Sequence, residues 1–193
     1  MDTCRLSASD LACRRGERLL FRRLDLALSP GEALHVTGPN GTGKSSLIRI
    51  LAGLLRPLAG DVRRAGRLAL LDGNLALDEH LPLGRALAFW HRLDRRTGHA
   101  AMRPLGLTNL LDVPVRFLST GQRKRAALAR LLEQEAPIWL LDEPLNGLDA
   151  DAAALAETLV GTHCEAGGIA LVASHQPLAL PGLSTLHLPD YAA

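Results

Sequence analysis

The sequence is short of aromatic residues, which make up 3% of its 193 positions, so its core has to be built from Leu, Ala, Val and Ile. It is also nearly devoid of lysine: of 22 Lys and Arg residues only Lys44 and Lys124 are lysines. Three cysteines, Cys4, Cys13 and Cys164, are odd in number and far apart, and no CxxC pair occurs. That spacing excludes a disulfide framework and a zinc knot and leaves buried free thiols in a reducing compartment as the expectation. No uninterrupted apolar run approaches the roughly 18 residues that a transmembrane helix needs. The opening stretch MDTCRLSASDLACRRGER lacks the apolar core of a signal peptide. Direct lipid insertion is therefore not expected, and any membrane association has to go through a partner. The formal net charge of +2 is too small to imply a nucleic-acid partner.

What is present is 47% hydrophobic residues, enough for a folded domain with a real core. No internal repeat or low-complexity linker interrupts the chain. Three apolar runs end abruptly in polar residues: ALHVTG (33–38), IWLLDE (138–143) and IALVASH (169–175). Runs of this length suit strands buried on both faces of a parallel sheet. Ligands gather at the C-terminal ends of such strands, where all three runs deliver their polar residues. Residues 1–36 carry short alternating stretches around Gly16 and Pro30–Gly31, which predict antiparallel strands and a hairpin. Residues 76–132 read as mostly helical and are divided by Pro82, Pro104 and Pro114. The expected fold is α/β, a single domain over 1–193. A mixed or parallel sheet core with an N-terminal antiparallel β subdomain takes about 1–75 and 133–193, and a helical lobe is inserted at about 76–132.

The first motif is Gly38-Pro39-Asn40-Gly41-Thr42-Gly43-Lys44-Ser45, followed by Ser46. It fits GxxxxGK[ST] after a strand and before the helical run SSLIRILAGLL, the setting of a phosphate-binding P-loop. Its glycines let successive N–H groups turn inward onto phosphate oxygens, and the helix N-terminus adds a positive dipole end. Lys44 is expected to reach the β- and γ-phosphates, Ser45 to ligate Mg²⁺ and Ser46 to support the adjacent phosphate. One of only two lysines in the chain occupies the required slot.

A buried strand that delivers Asp142 and Glu143 side by side is costly unless the carboxylates have a cation or a task. Asp142 is expected to hold Mg²⁺ opposite Ser45. Glu143, on the other side of the strand, is expected to act as general base toward the attacking water. The turn LNGLD (145–149) leaves Asp149 available to a neighbouring subunit. A lone His at a strand end is commonly structural, but His175 is level with the P-loop and the acidic pair, where it can hold the γ-phosphate or the water. His80, His91 and His99 read as surface residues. Arg123-Lys124-Arg125, the one basic run, reads as a solvated helix face.

These motifs, with LSTGQ (118–122) between them, resemble in content and order the nucleotide-binding domains of ABC ATPases, a branch of the P-loop NTPases. The resemblance covers nearly the whole chain. It implies ATP and Mg²⁺ as cofactors and a head-to-tail dimer with a second copy or a homologous domain. Ser119, Thr120, Gly121 and Gln122 of one subunit would then act on nucleotide held by the other. LSTGQ sits ahead of a helix, so its free N–H groups and hydroxyl fit that role. Two positions depart from the family. Arg15 stands where an aromatic residue usually stacks on adenine, and a guanidinium plane also stacks on a base. Asn74 stands where a Gln usually senses Mg²⁺, with a reach about one bond shorter.

EAPIWLLDEPLNGLD and GGIALVASHQPL, with Gly167-Gly168 and His175-Gln176, are similar to the ATP-binding subunits of cytochrome c maturation haem exporters. The resemblance implies integral-membrane partners and a peripheral location on the cytoplasmic face of a bacterial inner membrane. The groove beside Asn74 and the lobe from Leu75 to Trp90 would receive a partner helix. Phe89 and Trp90 either line that groove or pack in the lobe. Three alternatives remain: another ABC exporter, a soluble ABC ATPase acting on nucleic acid or ribosomes, and a regulatory subunit without ATPase activity. The intact Lys44, Ser45, Asp142, Glu143 and His175 set opposes the last.

Overall fold

A computed structural model describes residues 4–94 and 101–192. Two sheets carry the fold. The first is antiparallel, in the order β2-β1-β4, from β1 (Arg5–Arg15), β2 (Arg18–Leu28) and β4 (Ala59–Ala65). The β1–β2 hairpin turns at Gly16, as its sequence predicts, and Phe21, Leu24, Leu26 and Leu28 bury one face of β2. The turn at Pro30–Gly31 does not make a second hairpin. It passes the chain to the other sheet, where β3 (Ala33–Thr37) pairs in parallel.

That second sheet is all parallel, in the order β5-β6-β7-β3-β8. It adds β5 (Leu68–Leu71), β6 (Ile138–Asp142), β7 (Ile169–Ala173) and β8 (Ser184–His187). Every residue of β6 and β7 is buried, which is why these strands are continuous apolar runs. α1 (Lys44–Ala52) packs on one face with the antiparallel sheet, around Phe21, Leu47, Ile48, Leu140 and Leu171. α2 (Leu83–Leu93), α3 (Thr120–Glu133) and α4 (Ala150–Glu165) contribute to the core on the other face, with Leu87, Leu128, Trp139 and Val172.

Between β5 and β6 the described residues are helical in pieces, with short 3-10 turns at Thr108–Leu110 and Val115–Phe117 between α2 and α3. Pro82 is the N-cap of α2 and Pro114 that of the second 3-10 turn, both in extended backbone just outside the helical residues, where a proline interrupts no helical hydrogen bond. All three cysteines are buried and free. His80 is exposed, but His91 is not a surface residue. It is buried on α2 against Glu133 of α3, because the lobe closes its two helices over each other there. His99 lies outside the described residues.

Candidate functional site

β6, β7 and β3 are neighbours in the sheet, so their C-terminal ends bring the acidic pair, His175 and the P-loop to one edge. Gly43 closes the loop at φ 110°, a conformation that favours glycine. A Cβ on it would come within 3.2 Å of Phe21, so the loop packs directly on the antiparallel sheet. Lys44, only 5% exposed, donates to the carbonyls of Gly38 at 2.7 Å and Pro39 at 3.2 Å. Its ammonium therefore sits inside the loop, 3.8 Å from Glu143 Oε1.

Asp142 and Glu143 separate by function because a strand alternates its faces. Residues 138 and 140 join the core under α1, whereas Trp139 and Leu141 join the core on the far side. Asp142 thus turns toward α1 and Ser45. It is 9% exposed, and its Oδ1 is buried without a hydrogen-bond partner. Burial pushes its carboxyl above the ordinary aspartate range; a hydrogen bond from the Ser45 side chain opposes this, and the Glu143 charge adds to it. An orphaned carboxylate oxygen beside a serine hydroxyl fits a divalent cation of the Mg²⁺ type, which takes one or two carboxylates together with substrate phosphates.

Glu143 has a backbone φ of 48°, uncommon for a residue with a side chain, and its N–H is held by Ala173 O at 2.8 Å. Its Oε2 lies 3.0 Å from His175 Nδ1. Lys44, Glu143 and His175 consequently form one connected chain of charged and polar groups. Beside it a cleft of about 430 Å³ is lined by Arg15, Arg18, Leu20, Asn40, Gly41, Gly43, Lys44, Ser45, Ser46 and Glu143. Arg15 thus reaches the cleft. Arg18 and Leu20, across the hairpin, reach it too, although nothing in their immediate sequence marks them out; only the hairpin register pairing Arg15 with Arg18 does.

Other expected residues lie elsewhere. Asn74 lines a separate groove of about 480 Å³ with Asp72, Thr120, Lys124 and Asn146. Its N–H is tied to Asp72 Oδ1 at 2.9 Å, so the short amide begins from a locally fixed turn rather than from the P-loop cleft. Asp149 is exposed but not a free turn residue: its Oδ1 caps α4 by accepting from Ala152 N at 2.8 Å. The basic run is a half-exposed face whose arginines are also tied to backbone carbonyls. Arg123 donates to Leu118 O and Arg116 O, and Arg125 donates to Leu105 O. Burial lowers the pKa of Lys124, opposed by Asp142, Glu143 and Asp72.

LSTGQ opens α3 with a full capping box. Ser119 Oγ accepts from Gln122 N at 3.2 Å, and Gln122 Oε1 accepts from Ser119 N at 2.8 Å. The cap leaves the Thr120 and Gly121 N–H groups without an intrahelical acceptor. This helix end abuts the LNGLD turn: a Cβ on Gly147 would meet Thr120 Cγ2 at 3.0 Å, and one on Gly121 would meet Gly147 O at 3.2 Å. Ser119, Thr120, Gly121 and Gln122 are not among the residues lining the P-loop cleft.

Residues 21–146 match the ABC transporter family, a span that contains the P-loop, LSTGQ and the Asp142-Glu143 pair. The chain belongs to the ABC transporter family. It is 58% identical to the cytochrome c biogenesis ATP-binding export protein CcmA of Novosphingobium aromaticivorans, over 99% of each chain. It is 56% identical to the protein of the same name from Sphingopyxis alaskensis, over 95% of this chain and 96% of that one. Among solved structures, a protein described as an ABC transporter ATP-binding protein from Pyrococcus furiosus superposes with a TM-score of 0.84, covering 98% of this chain and 100% of that one at 21% identity. A chain of a metal-chelate type ABC transporter in an inward-facing conformation superposes with a TM-score of 0.81 at 24% identity, covering 96% and 80%. Both likenesses concern the fold. As a family member the chain is a nucleotide-binding transport ATPase, and none of its described helices is long and apolar enough to cross a membrane.

Proposed function

We propose that this chain is the ATP-hydrolysing subunit of a haem exporter that serves cytochrome c biogenesis. The observation that carries the cargo is the 58% identity, over 99% of both chains, to a cytochrome c biogenesis export protein. The chemistry rests on the chain of contacts Lys44–Glu143–His175 beside the P-loop. P-loop N–H groups and Lys44 hold the β- and γ-phosphates. Lys44 then exchanges the Gly38 and Pro39 carbonyls for phosphate oxygens. Ser45 and Asp142 would hold Mg²⁺, with Asn74 serving it from the separate groove it lines, and the ion would supply neutralisation of phosphate charge. Glu143 accepts a proton from the attacking water, and His175 fixes its carboxylate through Oε2. Arg15 stacks on the base. Ser119 and Gly121 of a second copy close over the γ-phosphate, with Asp149 at the dimer contact.

Integral-membrane subunits dock on the helical lobe. Support for this comes from an apolar cavity of about 750 Å³ along α2, lined by Leu81, Ala86, Phe89 and Trp90 among others, with Phe89 52% exposed. Trp90 belongs both to this cavity and to the lobe's packing, since its Nε1 donates to Ala76 O and Arg130 lies 3.7 Å over its ring. Held by these partners, the chain resides on the cytoplasmic face of the bacterial inner membrane. Gentle co-purification from membranes should bring down integral proteins of cytochrome c assembly, and cells lacking the chain should fail to mature c-type cytochromes. Removing the membrane subunits should release the chain to the soluble fraction. Its persistence on protein-free lipid would contradict the docking arrangement.

The orphaned Asp142 gives a further expectation. Folding raises this carboxyl's pKa, so the stability it contributes is lost as pH rises from the ordinary aspartate value through the raised one. The cost of the buried charge therefore grows as pH rises and is complete above the raised pKa. Asp142→Asn should raise the melting temperature of the nucleotide-free protein by about 2–4 °C, the shift of roughly 1 kcal/mol in a chain of this size. The same variant should lose the extra stabilisation that Mg²⁺ adds to ATP. A lower melting temperature without nucleotide would refute the account.

A further inference from the structure

β3 is an apolar run with one polar side chain in its middle, His35, which is 6% exposed. A polar ring is costly in such a place unless it is hydrogen-bonded. Its register partner in β7 is Val172, whose own partner in β6 is Leu141, and all three side chains stand on one face of the sheet. The next residues along that face are Ser174 after β7 and Glu143 after β6. His35 Nε2 lies 3.3 Å from Ser174 O. A carbonyl only accepts, so Nε2 carries the proton. Burial lowers the pKa of this ring, with the Ser174 carbonyl and the Glu143 charge opposing it, which keeps it a neutral donor.

Ser174 is the residue on which the position of His175 depends. Its N–H donates to Val36 O at 3.2 Å, and its Oγ accepts from Gln176 N at 2.9 Å. The remaining backbone group of Ser174 is the carbonyl that joins it to His175, and this is the group His35 meets. On the other side His175 Nδ1 faces Glu143 Oε2 at 3.0 Å, and Glu143 N is held by Ala173 O at 2.8 Å. We propose that His35 is a positioning residue for hydrolysis: its Nε2–H pins the Ser174–His175 peptide and thereby seats the His175 ring against Glu143. This rests on Glu143 and His175 acting at the γ-phosphate.

The test is ATPase activity of the full chain assembled with its membrane subunits, with kcat and KM measured separately. Gln places an amide nitrogen where His carries Nε2, whereas Asn is too short and mimics only the near side of the ring. His35→Gln should keep kcat within about twofold of the parent, while His35→Asn should lower it about tenfold at a KM for ATP changed by less than about twofold. On a His175→Ala background, His35→Asn should cause no further loss, because the two residues act as one unit. Equal kcat for the Gln and Asn variants, or a further tenfold loss on the His175→Ala background, would overturn the proposal. If His175→Ala alone turns over at the parental rate, the catalytic reading of His175 fails and this inference fails with it. If His175→Ala is slow and His35→Asn is not, only this inference fails.

Discussion

Glu143→Gln should lower ATP turnover by about 10²-fold or more while leaving ATP binding intact, since a positioned general base contributes about 10²–10⁴. Glutamine keeps the length and shape of the side chain and still offers an oxygen to His175, which now stands 3.0 Å from Oε2. It also leaves the backbone at residue 143, with its φ of 48° and its N–H bonded to Ala173 O, undisturbed. What it removes is the negative charge 3.8 Å from Lys44 and the ability to take a proton. Phosphate binding depends on the loop and Lys44, and losing a carboxylate near the γ-phosphate relieves repulsion. The variant should therefore accumulate as an ATP-bound dimer, visible as an ATP-dependent increase in size on gel filtration. Parental turnover in this variant would mean that another group is the base.

The parts of the fold that were legible are those whose physics is local. β3, β6 and β7 announce themselves because strands covered on both faces are apolar at every position, and β6 and β7 are buried throughout. The P-loop and the acidic pair are short motifs placed by those strands, so their meeting at one edge follows from three adjacent strands. β4, AGDVRRA, gives no such signal. It lies at the edge of its sheet and has no fully buried residue, so it carries arginines where a core strand carries valines. β8 is an edge strand of four residues with only Leu186 buried. The Pro30–Gly31 turn shows the same limit, since a turn signal does not say which sheet receives the next strand. Side-chain partners across the fold were the least legible. His91 meets Glu133 from another helix, Arg123 and Arg125 find carbonyls outside α3, and His35 meets Ser174 across 139 positions of sequence. A lone histidine or a basic run reads as surface until tertiary packing supplies its partner.

Ser119→Arg should abolish most ATP hydrolysis, about 10²-fold, while nucleotide binding to the monomer stays within about twofold, as expected of a residue that meets the substrate only in the closed dimer. Ser119 is exposed, so the longer side chain meets no core, and the P-loop cleft of its own chain does not include it. The substitution does remove the oxygen that accepts from Gln122 N, a cap worth about 1 kcal/mol. Ser119→Asp separates the two roles. Aspartate caps a helix as well as serine and suits the positive end of the dipole, so α3 should be as stable as before. Yet its charge opposes the γ-phosphate, so hydrolysis should remain lost. The decisive measurement mixes two inactive chains, Lys44→Ala and Ser119→Arg. In a head-to-tail dimer one site receives both lesions and the other receives neither, so mixed dimers should recover activity up to that of one site in two. If LSTGQ served the P-loop of its own chain, every site in the mixture would carry a lesion, and no activity would return.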